Sequence, residues 1–173
     1  MLFKEISGSI FDVGAHVIVH QVNCMGIMGS GVAKQVRDRY PNVYLAYHNS
    51  VKTLKHNCLG GCLTVEAEPG LRIANLFGQY YYRGYKDDEQ YIFDKYWKAP
   101  ELDTNGKAVR FTNYEAFYGG LIRLKDNLLE SETRIAFPYK IGSDRGGADW
   151  NIIVSMIKSV FSDTNKEILI CKL

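Results

Sequence analysis

The stretch His20–Arg39, HQVNCMGIMGSGVAKQVRDR, decides how this chain folds. A β-branched run, His16-Val17-Ile18-Val19, leads into it and continues through Gln21, Val22 and Asn23. Small residues follow, Gly26-Ile27-Met28-Gly29-Ser30-Gly31, and a helical stretch then opens at Val32 with Ala33, Gln35 and Val36. Strand, glycine loop and helix is the arrangement that brings backbone N–H groups to a phosphate. Side chains in such a loop would hold the anion off the backbone and resist positive φ. We read it as an anion-binding loop suited to a diphosphate.

Working outward, β-like and helix-like runs alternate. Leu2–Ile6 reads as a first strand, and His16–His20 as a second, apolar on both sides and so central in a sheet. Gly31–Tyr40 reads as a helix stopped before Pro41, and Val43–Leu54 as another. Cys62–Glu66 and Leu71–Phe77 read as strands joined at Pro69-Gly70. Residues 79–111 break the rhythm with a polar excursion, expected to form a lid over the site. Thr112, with Glu115 three residues on, reads as a capping box opening a helix that buries Tyr114, Phe117, Leu121, Leu124 and Leu128. Arg134–Pro138 and Ile168–Leu173 read as strands, and Asp149–Phe161 as a helix with Trp150, Ile153, Ile157 and Val160 inward. The pattern is α/β, a mixed sheet covered on both faces, in one domain spanning 1–173. Ligands of such sheets sit at the carboxyl ends of strands.

The chain has 173 residues, enough to bury about two-thirds of its extended surface. A net charge of +2, with basic and acidic residues intermixed, argues against general nucleic-acid affinity. No apolar run reaches the roughly 20 residues a membrane span needs, and MLFKEISGSIF is too polar for a signal peptide. The expectation is a cytoplasmic monomer with reduced cysteines at 24, 58, 62 and 171. His56, Cys58 and Cys62 offer only three nearby ligands, so packing around the Gly60-Gly61 turn is preferred and no metal is expected. Four of the 12 tyrosines fall between Tyr80 and Tyr85. They can stack on a ligand ring or pack under a loop, and packing is the commoner outcome.

A second glycine loop follows the Arg134–Pro138 strand: PYKIGSDRGGADW, Pro138–Trp150. No Walker lysine or GxGxxG fingerprint accompanies either loop, which disfavours a P-loop NTPase or a Rossmann dehydrogenase. At this point the chain resembles the macrodomains, which bind ADP-ribose. VNCMGIMGSGVA is similar to their first phosphate-binding segment, and PYKIGSDRGGADW to their second, with the spacing P-Y-x-I-G-x-x-x-x-G-x-D-W. IANLFGQ (Ile73–Gln79) and RFTNYEAF (Arg110–Phe117) are similar to the compact branch that holds ADP-ribose-1″-phosphate phosphatases and ADP-ribosyl glycohydrolases. His20-Gln21-Val22-Asn23-Cys24 looks nearest the phosphatase type.

The resemblance implies a three-layer α/β/α fold and assigns roles by position. Asn23 falls where macrodomains bind the distal ribose, and His20 where phosphatase-like members place a His near it. Gly29, Ser30, Gly31 and Val32 fall on the first diphosphate loop, and Gly142, Ser143, Asp144, Arg145 and Gly146 on the second. Ile10 falls beside the adenine. Ser9 stands where the family carries an Asp that reads the adenine amino group, which implies softer base selectivity. Gln79 lies near the glycohydrolase Lys position and Gly146 at its Asp position, leaving Lys86 or Lys140 as substitutes. Lys140 and Arg145 add positive charge that suits an extra phosphate.

Two readings stand beside several of these residues. His20 is either a hydrogen-bonded core residue or a general acid/base. Asn23 is a ligand contact or a turn cap, and Asp144 is a water-orienting base, a partner of Arg145 or a turn cap. Asp149 reads as a helix cap and Cys24 as packing. The expected activity is hydrolysis of ADP-ribose-1″-phosphate to ADP-ribose and phosphate, with His20 and Asp144 as the catalytic pair. Fixed N–H dipoles supply the preorganisation, so no cofactor is expected. A glycohydrolase acting on ADP-ribosylated macromolecules and a non-catalytic ADP-ribose reader are the alternatives.

Overall fold

The computed structural model describes residues 1–82, 101–102, 104–105 and 108–173. Among these, the main sheet is built from β1 (Leu2–Ser7), β2 (Val17–Val22), β3 (Cys62–Glu68), β4 (Leu71–Phe77), β7 (Arg134–Pro138) and β8 (Glu167–Lys172), in the order β1-β8-β7-β2-β4-β3. Every pairing is parallel except β3 against β4. A short antiparallel pair, β5 (Glu101–Leu102) and β6 (Ala108–Arg110), stands apart from it. The mixed α/β sheet expected from the sequence is present, with β2 central between β7 and β4.

Helices cover both faces. Period-two alternation sends Val17 and Val19 of β2 to one core and Ile18 and Val22 to the other. The first core is completed by α3 (Tyr114–Asp126) and α4 (Trp150–Phe161), through Phe117, Leu121, Leu124, Ile153, Ile157 and Phe161. The second takes Val36 from α1 (Gly31–Arg39) and Val43 and Tyr47 from α2 (Pro41–Leu54). This is a three-layer sandwich. Among the described residues no helix is long and apolar enough to cross a membrane.

The element ends differ from expectation where local chemistry prevails. α2 begins at Pro41, whose fixed φ and missing N–H suit a first helical turn. α3 is capped by Asn113, whose side chain accepts the Ala116 N–H at 2.9 Å, and not by Thr112. The Thr112 hydroxyl has a distant partner instead, the Gly142 carbonyl. Leu128 lies past the end of α3 and packs on the first core from there. Asp149 caps α4 as read, accepting from Asn151 N–H at 2.8 Å. Most of the 79–111 excursion, with its lid reading, lies outside the described residues.

Phe137 is fully buried on β7, its ring edge-on to Phe161 at 6.1 Å. Phe137→Ala removes this contact and leaves a cavity between sheet and α4. The expected loss is about 3–5 kcal/mol of unfolding free energy in a urea titration.

Candidate functional site

Because the parallel strands run the same way, their carboxyl ends share one edge of the sheet. The loops leaving β2 and β7 meet there around a cleft of about 430 Å³. His20, Asn23, Gly29, Ser30, Gly31 and Val32 line it on one side, and Gly142, Asp144, Arg145 and Gly146 on the other. Lys140, Gln79, Tyr82 and Tyr139 also contribute. The two glycine loops therefore do face each other.

The first loop ends in a helix start that is left open. Ser30 precedes α1 with extended backbone and makes no side-chain cap, and the first turn carries no acidic residue. The N–H groups of Gly31, Val32 and Ala33 have no acceptor within the helix, and these residues line the cleft. That is a positive end aimed at a space an anion can fill. Gly31 has φ +58, which lets the chain turn into the helix beside the cleft.

Asn23 shapes this loop. Its Oδ1 accepts from Met25 N–H at 2.9 Å and from the Tyr47 hydroxyl at 2.9 Å, and its Nδ2 donates to the Ile27 carbonyl at 2.7 Å. The turn-capping reading describes what Asn23 does here, with one amide N–H left over for a ligand. Tyr47 reaches it from α2 with its ring fully buried, and burial pushes the phenol well above its usual range, so the hydroxyl stays a donor.

The second loop turns back on itself. Ser143 and Asp144 donate their N–H groups to the Lys140 carbonyl at 2.9 and 3.1 Å, and Ala148 donates to Gly142 at 3.1 Å. Among the described residues the N–H groups of Gly142, Arg145 and Gly146 have no backbone acceptor. Lys140 sits at φ +59 and Gly142 at φ +71, the left-handed backbone that folds the loop this tightly.

His20 is 1% exposed on β2, beside Asn75 on β4. Asn75 Nδ2 donates to the Leu63 carbonyl, which turns its Oδ1 to His20 Nε2 at 2.8 Å. Nε2 therefore carries the proton and Nδ1 presents a bare lone pair, buried and without a partner. Burial lowers the His20 pKa to about 4, against a smaller upward pull from Asn75. At neutral pH the ring is uncharged, so it acts first as a proton acceptor.

The remaining assignments divide. Asp144 and Arg145 are both exposed on the cleft wall and form no ion pair with each other. Ser143 does not line the cleft; its hydroxyl is buried without a partner. Ser9 and Ile10 also lie outside the cleft lining. Ser9 Oγ accepts Phe11 N–H at 3.2 Å, and Ile10 is buried in the second core. Both follow β1, whose end joins β8 through Gly8 N–H and the Lys172 carbonyl at 2.8 Å. Cys24 packs as read: burial, then the neighbouring Cys58 thiol, pushes it far above the usual thiol range.

No protein-family model matches the chain. Among curated proteins it is 28% identical over 155 residues to a DNA ADP-ribosyl glycohydrolase of Mycobacterium tuberculosis, covering 90% of this chain and 37% of that protein. It is 41% identical over 54 residues to an ADP-ribose 1″-phosphate phosphatase of Aspergillus oryzae, covering 30% of this chain and 26% of that one. The chain thus spans well under half the length of these relatives. The solved macrodomain of Mycobacterium tuberculosis DarG superposes with a TM-score of 0.72 at 22% identity, over 99% of this chain and 98% of that one.

The chain has the macrodomain fold. Three polar residues at or behind the cleft, Tyr47, Gln21 and Thr112, were not singled out for the site by the sequence. Tyr47 holds Asn23, and the buried stripe Val43, Tyr47, Val51 was the available signal, since a buried phenol requires an acceptor. Gln21 and Gln79 bond each other, and Gln21 Nε2 also donates to Thr112 Oγ1 at 3.0 Å. Only the alternation of β2 hinted at Gln21, by placing it on the face opposite His20. Of the tyrosine cluster, Tyr80 and Tyr81 pack on each other with centroids 5.0 Å apart, and Tyr82 lines the cleft. Tyr85 and Lys86 lie outside the described residues. Lys140 lines the cleft with its ammonium 5.6 Å from the Tyr139 ring centroid.

The depressed His20 pKa links stability to pH. Between its unfolded value near 6.5 and its folded value of about 4, the unfolded chain binds a proton that the folded one refuses. Stability therefore falls as pH drops through this window, by up to about 1.4 kcal/mol per pH unit. His20→Gln removes that contribution, and chemical denaturation between pH 7 and pH 4 is expected to show a shallower slope for the variant.

Proposed function

We propose that this macrodomain binds ADP-ribose-1″-phosphate and hydrolyses it to ADP-ribose and inorganic phosphate. The observation that carries the reading is the pair of facing loops, each with open backbone N–H groups, on one cleft that also holds a buried, neutral His20. The diphosphate would lie between the α1 start and the Gly142–Gly146 turn. The distal ribose would then reach His20 and Asn23. One curated relative is a DNA ADP-ribosyl glycohydrolase and the other an ADP-ribose 1″-phosphate phosphatase, which supports the ligand class.

In the proposed reaction water attacks the terminal phosphorus and the P–O1″ bond breaks. His20 Nδ1 takes the proton from the water. The resulting imidazolium is a strong acid at this desolvated site and hands the proton to the departing O1″. Lys140 and Arg145 on the cleft wall offset charge on the transferred phosphoryl group. Asp144 is the second candidate base, able to orient the water from the opposite wall.

Phosphate release from ADP-ribose-1″-phosphate tests this directly. His20→Gln is expected to lower kcat by about 10²–10⁴-fold, and Asp144→Asn by less. Wild-type rates in His20→Gln remove the ring from the mechanism, and no release by the wild type removes the activity.

A second reading, an ADP-ribosyl glycohydrolase, is favoured by the Mycobacterium tuberculosis relative, which matches over 90% of the chain. It places Lys140 in the reaction, as the cleft-lining lysine among the described residues. Free ADP-ribose released from ADP-ribosylated DNA, and lost in Lys140→Ala, is the outcome that selects it over the phosphatase. Tight calorimetric binding of ADP-ribose with no turnover of either substrate selects a reader.

A further inference from the structure

RFTNYEAF, Arg110–Phe117, enters the fold as the start of α3, yet its first residues are spent on the second loop. Phe111 and Thr112 both donate their N–H groups to the Gly146 carbonyl, at 2.9 and 3.0 Å. The Thr112 hydroxyl donates to the Gly142 carbonyl at 2.6 Å and accepts from Gln21 Nε2 at 3.0 Å. Asn113 N–H donates to Gly78, and the Tyr114 hydroxyl accepts Asp149 N–H at 2.8 Å. One short segment therefore fixes the loop near its start, its middle and its end.

Thr112 sits at the centre of this arrangement, 1% exposed and behind the cleft. A Cβ on Gly146 would overlap the Thr112 hydroxyl and the Gly142 carbonyl, so the loop is closed onto Thr112 with no space between. A trans peptide points its carbonyl and its N–H in opposite directions. Holding the Gly142 and Gly146 carbonyls against Thr112 thereby fixes the peptide planes that follow these two residues, which bracket the open N–H groups of Arg145 and Gly146. The Thr112 hydroxyl also ties the turn, through Gln21, to the strand that carries His20 and the first loop.

We propose that Thr112 is a positioning residue for ligand binding. Through its hydroxyl it sets the second loop in register with the first, so that both present N–H groups to one diphosphate. This rests on the reading of the cleft as an ADP-ribose site.

The test compares Thr112→Val, which keeps the side-chain shape, with Thr112→Ser, which keeps the hydroxyl. Calorimetry with ADP-ribose is run beside AMP, which lacks the second phosphate. Thr112→Val is expected to weaken ADP-ribose binding at least tenfold and AMP binding much less, while Thr112→Ser stays within about threefold of wild type. With a turnover substrate the loss is expected in KM more than in kcat. Circular dichroism and a thermal melt establish that Thr112→Val is folded; if it is not, Thr112→Ala, which removes the hydroxyl and both its bonds, and Gln21→Leu, which removes only the arm to β2, carry the same comparison. Equal ADP-ribose affinity in the folded variants and wild type overturns the proposal. So does a loss shared equally by AMP, which marks a general structural role. If the wild type itself gives no heat with ADP-ribose, the underlying reading of the cleft fails instead.

Discussion

A loop that leaves its N–H groups free for an anion must satisfy its carbonyls without using those N–H groups. That constraint organises the edge of this sheet. In a helix or strand the two kinds of group pair with each other, but here they are separated, so side chains take the balance. The first loop relies on Asn23, whose amide meets Met25, Ile27 and Tyr47. The second relies on Thr112 and the N–H of Phe111, which meet the Gly142 and Gly146 carbonyls. Each brace is buried, where a hydrogen bond is strong and an unpaired group is costly. Both loops are thereby braced by the protein's own groups, and a loop braced in this way has less ordering to lose in binding an anion.

Charge is distributed in keeping with this division. The inner part of the cleft is neutral: burial lowers the proton affinity of His20, and the glycine loops offer dipoles in place of full charges. Formal charges stay at the exposed wall, on Lys140, Asp144 and Arg145. The positive side chains at the rim give the cleft a local charge, to which the net charge of the chain, only +2, contributes little.

Much of this was legible in the sequence because it follows from short-range pattern. The β-branched run into Asn23, the glycine loops and the Asp149 cap depend on neighbours within a few positions, and the strands appear within two residues of their expected ends. Thr112 was misplaced for an instructive reason. It satisfies the local capping pattern with Glu115, and nothing nearby reveals that Gly142, 30 residues on, competes for its hydroxyl. Asn113, one position later, caps the helix equally well, so the helix lost nothing when Thr112 was recruited elsewhere. Asn23 was recognisable as a costly polar residue at a strand end. Its partner Tyr47 lies 24 residues away on a helix and reads, by spacing alone, as ordinary core.

The central strand explains why two different tasks fit in so small a site. Successive residues of β2 point to opposite faces, so His20 and Gln21 cannot serve the same core. His20 turns to the α1–α2 side, meets Asn75 through Nε2 and leaves Nδ1 buried without a partner. Gln21 turns to the α3–α4 side and bonds Gln79 and Thr112 behind the second loop. Gly78 and Gly142 have no side chain because the Gln21 amide occupies the space a Cβ would need, 2.6 and 2.9 Å from Oε1. A shift of β2 by one residue would turn His20 to the α3–α4 face and Gln21 to the α1–α2 face. The apolar residues flanking them, Val19 and Val22, are committed to opposite cores and prevent that shift. The register that buries the valines therefore also sets the chemistry of the cleft.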